Sequence, residues 1–190
     1  MFKNGWKKKL VNYFRRKKKF IILLLIVISV FAYFNVNTKK IKGNASGVKT
    51  VTVNIDKNYE FPGITGQGKV SSEKIRMKIK YAEKTNQVLV QDQIFTAKNN
   101  KLFLIVNLEL RNDATQTVNI LPGDLIRLSV ESDKETRYAP DLHNNLVPVA
   151  AISTKIDRVG FVIPDTARNF VLYVGEIEGN KEEISLSFPS

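Results

Sequence analysis

Apolar and polar positions alternate with period two along most of the chain beyond residue 70. Ile75, Met77, Ile79 and Tyr81 alternate with Arg76, Lys78 and Lys80. Leu102, Leu104, Val106, Leu108 and Leu110 interleave with Phe103, Ile105, Asn107 and Glu109. Successive side chains of a strand point to opposite faces, so this period predicts strands with one face in a core and one in water. Short apolar runs follow at residues 88–90, 118–121, 125–130, 159–163 and 170–174, and Ile184, Leu186 and Phe188 close the chain. Pro122-Gly123-Asp124, Pro164 and Gly175 punctuate them. No long amphipathic helix fits. Seven or more short strands in about 120 residues predict an all-β fold, an antiparallel β-sandwich over residues 70–190.

The amino-terminal third reads differently. Residues 20–34 are apolar apart from Ser29. Extended to Val36, the run makes a helix of roughly 26 Å, a little under the bilayer's hydrocarbon thickness of about 30 Å. Residues 20–36 are therefore read as one transmembrane helix. Phe31, Tyr33 and Phe34 fall where an aromatic belt meets the interface. Val30-Phe31-Ala32 keeps a second reading open, cleavage of a signal peptide after Ala32 and release of the rest. Residues 37–69 are polar and read as a stalk, with one strand where Val51, Val53 and Ile55 alternate with Thr52 and Asn54. Phe61-Pro62-Gly63-Ile64-Thr65-Gly66-Gln67-Gly68 is expected to break regular structure. Gly66-Gln67-Gly68-Lys69 lacks the spacing of a phosphate loop and reads as a turn. Asn44-Ala45-Ser46 is a glycosylation sequon wherever the host glycosylates such sites.

Charge sharpens this organisation. The formal net charge of +12 would ordinarily suggest nucleic acid. Residues 1–19 alone carry +9, with no acid among them, and everything beyond residue 34 carries +3. A basic segment abutting an apolar run sets topology, so Arg15, Arg16, Lys17, Lys18 and Lys19 are expected to hold the amino terminus in the cytoplasm and the remainder outside. That location argues against nucleic acid and names the lipid membrane as the first partner. Phe2, Trp6 and Leu10 recur at helical spacing among the lysines, which fits either an interfacial helix or a plain basic tail.

The segment 102–112 resembles the long strand ending in Arg-Asn of a bacterial family of extracellular immunoglobulin-like domains of unknown function. That family is similar in fold to a mycobacterial immunoprotective secreted antigen. The likeness continues through Leu121-Pro122-Gly123-Asp124, Tyr138, Pro140, Val159-Gly160-Phe161-Val162-Ile163-Pro164 and residues 170–174, and covers about residues 70–190. Ser153-Thr154-Lys155 stands where the family carries a Pro-Gly turn. The resemblance implies a surface-anchored sandwich and brings no catalytic, cofactor or metal residue with it.

Chemistry-bearing residues are few. The chain has no cysteine and one histidine, which excludes disulfides, thiolate chemistry and a multi-histidine metal centre from one chain. Asp141 and His143 share a face of an extended segment and could orient a general base, but no serine lies in a nucleophile motif. Glu131, Asp133 and Glu135, with Asp124 upstream, lack calcium-loop spacing and read as a charged hairpin. Lys74, Arg76, Lys78 and Lys80 form a basic strand face that could bind a polyanion, an anionic wall polymer or nucleic acid. The rival reading is the solvent side of an amphipathic strand. Residues 35–101 carry a net +8 and residues 102–190 a net −5. The expectation is a non-enzymatic, cofactor-free binding or scaffolding domain of the cell envelope. Recognition loops are expected around Pro122-Gly123-Asp124, residues 133–138 and residues 144–154. The alternatives are the polyanion module, an envelope hydrolase using His143, and a subunit of an envelope assembly whose membrane helix contacts partners.

Overall fold

The computed structural model describes residues 49–130 and 133–189. The predicted cytoplasmic tail with Arg15, Arg16, Lys17, Lys18 and Lys19, the span 20–36 and the first part of the stalk lie outside the described residues. Among the described residues, no helix is long and apolar enough to cross a membrane.

Among the described residues, twelve strands and one short helix follow in order: β1 Thr50–Ile64, β2 Val70–Thr85, β3 Gln87–Val90, β4 Gln93–Thr96, β5 Lys101–Asn112 and β6 Val118–Ile120. Then come α1 Pro122–Leu125, β7 Ile126–Val130, β8 Asp133–Tyr138, β9 Val147–Val149, β10 Ser153–Pro164, β11 Asn169–Val174 and β12 Glu182–Ser187. A six-stranded sheet runs β10-β5-β2-β1-β6-β9, a four-stranded sheet runs β12-β11-β7-β8, and β3 and β4 form a separate hairpin. Every strand pair is antiparallel. The all-β sandwich read from the period-two pattern is the observed architecture.

The inward residues of the two larger sheets make one core. Ile75, Met77 and Ile79 of β2 and Leu104, Val106, Leu108 and Leu110 of β5 meet Ile126 and Leu128 of β7 and Phe170, Leu172 and Val174 of β11. Burying each such side chain contributes about 1.5–3 kcal/mol. Having no disulfide, the sandwich depends on this packing and on strand pairing. Asn112, the last residue of β5 and of the Arg-Asn pair, is fully buried. Its Nδ2 donates to the carbonyls of Gln116, Val149 and Ala150 at 2.8, 3.0 and 3.0 Å, and its Oδ1 accepts from the Ala114 N–H at 2.9 Å. One side chain thus ties the β5–β6 connection to the end of β9.

Several sequence expectations are corrected. The stalk over 37–69 does not hold beyond residue 49, because β1 is a full strand of the large sheet. Its Val51, Val53, Ile55, Tyr59 and Phe61 join the core. Pro62 and Gly63 do not break it, because the register shifts there and leaves a bulge. A Cβ on Gly63 would lie 2.1 Å from Val118 Cγ1, so the small residue admits β6. Residues 133–138, expected as a recognition loop, are β8, the edge strand beside β7, and residues 144–154, expected likewise, contain β9 and the start of β10. Thr65, Gly66, Gln67, Gly68 and Lys69 do form a turn, closed by Thr65 N–H to Lys69 O at 2.8 Å and Gly68 N–H to Thr65 O at 3.0 Å.

Candidate binding groove

The strand directions define two ends of the sandwich. β1 starts at Thr50, beside Thr85, and finishes at Ile64, beside Val70 and Asn119. Fifteen strand residues put those ends roughly 46 Å apart at about 3.3 Å per residue. At the end away from Thr50 lie the β1–β2 turn, α1 and the β11–β12 loop.

These three connections enclose an apolar groove of about 340 Å³. Ile64, Ile120, Leu121 and Leu125 line it, with Val70 and Ile177 at its mouth. Val70 is 75% exposed and Ile177 is 65% exposed. Both aliphatic side chains thus stand open to water at the same concavity. Asp124, Glu176 and Glu178 stand on the rim. Asp124 has Arg127 at 3.8 Å. Neither Glu176 nor Glu178 has an ion-pair partner among the described residues.

The groove wall depends on α1, a single turn that starts at Pro122. Asp124 N–H donates to Leu121 O at 3.0 Å, and the Arg127 guanidinium donates to the Gly123 carbonyl. The ring of His143 packs on the turn, since a Cβ on Gly123 would sit 2.6 Å from His143 Cδ2. His143 Nδ1 lies 3.1 Å from the Pro140 carbonyl oxygen. Asp141 does not orient the imidazole. Its Oδ2 accepts from the Val162 N–H at 2.7 Å, covering the edge of β10. The Asp141–His143 pair considered as a general base is therefore not assembled, and the histidine braces α1.

The basic strand face is present as read, and each of its cations faces an acid. Lys74 lies 3.2 Å from Glu60, Lys78 lies 2.7 Å from Asp56, and Lys80 lies 3.9 Å from Glu109. Arg76 and Arg111 share Asp113. That carboxyl is held below the usual carboxylate range, chiefly by the Arg76 hydrogen bond and then by Arg111. The Lys78 ammonium is pushed up by its hydrogen bond to Asp56. The face is a ladder of compensated charge rather than a run of free cations.

The acidic hairpin also resolves into local bonds. Glu131 lies outside the described residues. Asp133 accepts from the Thr136 N–H at 3.1 Å and the Tyr138 hydroxyl at 3.2 Å. Its carboxyl is lowered first by the hydrogen bond from the Thr136 side chain. Among the described residues, no group of three metal-ligating side chains converges.

Sequence reading named Pro122-Gly123-Asp124 as a recognition loop, and that turn forms one wall. It missed Val70, Ile177, Glu176 and Glu178. The alternation Glu176-Ile177-Glu178 between Gly175 and Gly179, an aliphatic residue between acids in a glycine-bounded loop, was the available signal.

No family model matches the chain, and no curated protein sequence matches it. Among solved structures, a conserved hypothetical protein from Bacillus anthracis is 16% identical over 72% of this chain and 96% of its own, with a TM-score of 0.46. An uncharacterised β-sandwich protein from Clostridium difficile is 16% identical over 70% of this chain and 98% of its own, with a TM-score of 0.44. A functionally unknown protein from Listeria monocytogenes is 11% identical over 75% of this chain and 87% of its own, with a TM-score of 0.42. These three are bacterial proteins whose function is not known.

Proposed function

We propose that the protein is a single-pass, membrane-anchored recognition domain of the cell envelope, amino terminus inside, with its immunoglobulin-like sandwich outside. In this reading the groove between the β1–β2 turn, α1 and the β11–β12 loop takes an aliphatic side chain of an envelope polypeptide, flanked by basic residues. The observation that carries it is an open apolar concavity beside the carboxylates of Glu176 and Glu178, which have no ion-pair partner among the described residues. The aliphatic lining supplies affinity through burial, and the acidic rim selects the sign of the neighbours. The +9 tail and the apolar run at residues 20–34 support the anchor. Within the sandwich, the groove lies at the end away from Thr50. The compensated ridge of Lys74, Arg76, Lys78 and Lys80 gives a polyanion no comparable set of free charges.

The test uses the full chain in micelles and a labelled peptide carrying one isoleucine among lysines. Binding is expected to weaken with added salt. It is expected to fall at least tenfold in the Val70→Ser/Ile177→Ser double variant, and equally when the peptide isoleucine becomes serine. Equal binding by both proteins and both peptides would reject the groove. Protease shaving of intact cells checks the orientation separately: cleavage within residues 50–190 is expected, and full protection in cells whose surface proteins are otherwise cut would reject it.

A further inference from the structure

Exposed strand edges are ready templates for another chain, and proteins blunt them with charge, proline, bulges or covering segments. Nearly every edge here is blunted. The edge of β10 is covered by Asp141 on the Val162 N–H and by the Leu142–Gly160 bridge. β9 carries Pro148, whose carbonyl accepts from Lys155 Nζ at 3.0 Å. β12 presents Glu182 and Glu183, and β8 presents Asp133, Glu135 and Arg137. β1 pairs on its second side only through Ile64, but carries Glu60, Pro62 and a bulge with Asp56 at positive φ. On the β3 side of the hairpin, the Arg158 guanidinium donates to the Leu89 carbonyl.

β4 has none of these devices. Gln93, Ile94, Phe95 and Thr96 are uncharged and all exposed. The hairpin turns through Gln91 and Asp92, both at positive φ, as a two-residue connection requires. Val88 is buried against Phe103 and Ile105, so that face of the hairpin rests on the body. Leu89 and Ile94 are cross-strand partners and therefore share the opposite face, where they are 50% and 47% exposed. A two-stranded ribbon with an open apolar face is the least complete sheet in the molecule.

We propose that β4 pairs with β4 of a second copy of this chain, antiparallel across a two-fold axis at Ile94. The occupant follows from the register. A two-fold perpendicular to the sheet keeps each face on its own side, so it must pass through a residue position rather than between two. Centred on Ile94, it sets Gln93 against Phe95 of the other copy and Ile94 against Ile94. The open face then becomes an unbroken cross-strand row of Leu89, Ile94, Ile94 and Leu89 in a four-stranded sheet. Pairing β12 with itself would instead gather four carboxylates, and like charges directly opposite destabilise a sheet. An isologous contact of this kind closes as a dimer without further growth. The inference rests on the described domain and stands whether or not the groove or the anchor is as proposed.

The chain has no cysteine, so Ile94→Cys introduces a single thiol. The two-fold brings the two thiols to a cross-strand separation of about 5 Å, within reach of a disulfide. Mild oxidation of the full chain in micelles is expected to convert this variant to a covalent dimer, while Ile177→Cys stays monomeric. Adding Phe95→Lys to Ile94→Cys is expected to abolish the crosslink while the domain still unfolds cooperatively, since Phe95 is 48% exposed and outside the main core. Crosslinking of Ile94→Cys no faster than Ile177→Cys would overturn the proposal. A monomeric chain whose hairpin takes up a synthetic uncharged strand would also overturn it, and would give the edge to a foreign partner.

Discussion

The basic ridge on β2 and the acidic rim of the groove are both exposed clusters of one sign, and they differ in what surrounds them. Along the ridge, β1, β5 and the residue after β5 place Glu60, Asp56, Glu109 and Asp113 against the four cations. At the rim, Glu176 and Glu178 leave the sandwich on a loop, and no cation from a neighbouring strand pairs with them among the described residues. The large sheet matches its own charges because its strands hold side chains in fixed cross-strand register. A loop at the end of a sandwich has no such neighbour. Cross-strand register therefore makes the ridge part of the fold, while its absence leaves the rim free to meet another molecule.

The largest effect that would sharpen this contrast comes from the wall of the groove. Gly123→Val would drive a side chain into the His143 ring, and no rotation of that ring relieves the clash, because His143 Cγ and Cβ also lie within 3.2 Å of the new Cβ. Overpacking of this kind costs about 1–3 kcal/mol. We expect a lower unfolding midpoint in urea, and loss of the isoleucine peptide even at temperatures where the variant is folded. The ridge lies on β2, away from α1, and its ion pairs should survive. Retained peptide binding in a folded Gly123→Val variant would mean that α1 does not shape the site.

Next in size is the charge comparison itself. Reversing Glu176 and Glu178 together to lysine should weaken the basic peptide at least tenfold, equivalent to about 1.4 kcal/mol, with little change in thermal stability. Reversing Lys74 and Lys78 to glutamate should leave peptide affinity within twofold. Equal losses from the two reversals, measured by anisotropy at matched salt, would break the distinction and assign binding to the overall field of the domain.

Much of the sandwich was legible because period two is a local property. Ile75, Met77 and Ile79, or Leu104 through Leu110, declare an inward face without reference to any other strand. β1 was legible only in its first half, because Pro62 and Gly63 read as breakers until β6 is seen to need the space above Gly63. β4 escaped because its four residues are all exposed, and β8 because Asp133–Tyr138 carries no apolar alternation. The groove shows the same limit more strongly. Its lining comes from residues 61–70, 120–125 and 176–178, and only the closure of the two sheets brings these together. Counting charges could not show the acids of the basic face, since Asp56, Glu60, Glu109 and Asp113 reach it from β1, β5 and the residue after β5.

The smallest expected effect is the acid sensitivity of the ridge. The Asp113 carboxyl is depressed by Arg76 and then Arg111, so folding favours its ionised form. A carboxyl lowered in the folded state contributes stability that is present above its unfolded value, near 3.9, and is lost as the pH falls through its folded value. Asp113→Asn removes that contribution. Its unfolding midpoint should lie slightly below that of the parent chain at pH 7, and the two should converge as the pH drops below about 3.9. The pair is exposed and open to screening, so high salt should shrink the pH 7 difference as well. Arg76→Gln should reproduce only part of the shift, because Arg111 still reaches Asp113 at 2.8 Å. A difference that persists unchanged into acid would show that Asp113 acts through packing at the end of β5 and not through its charge.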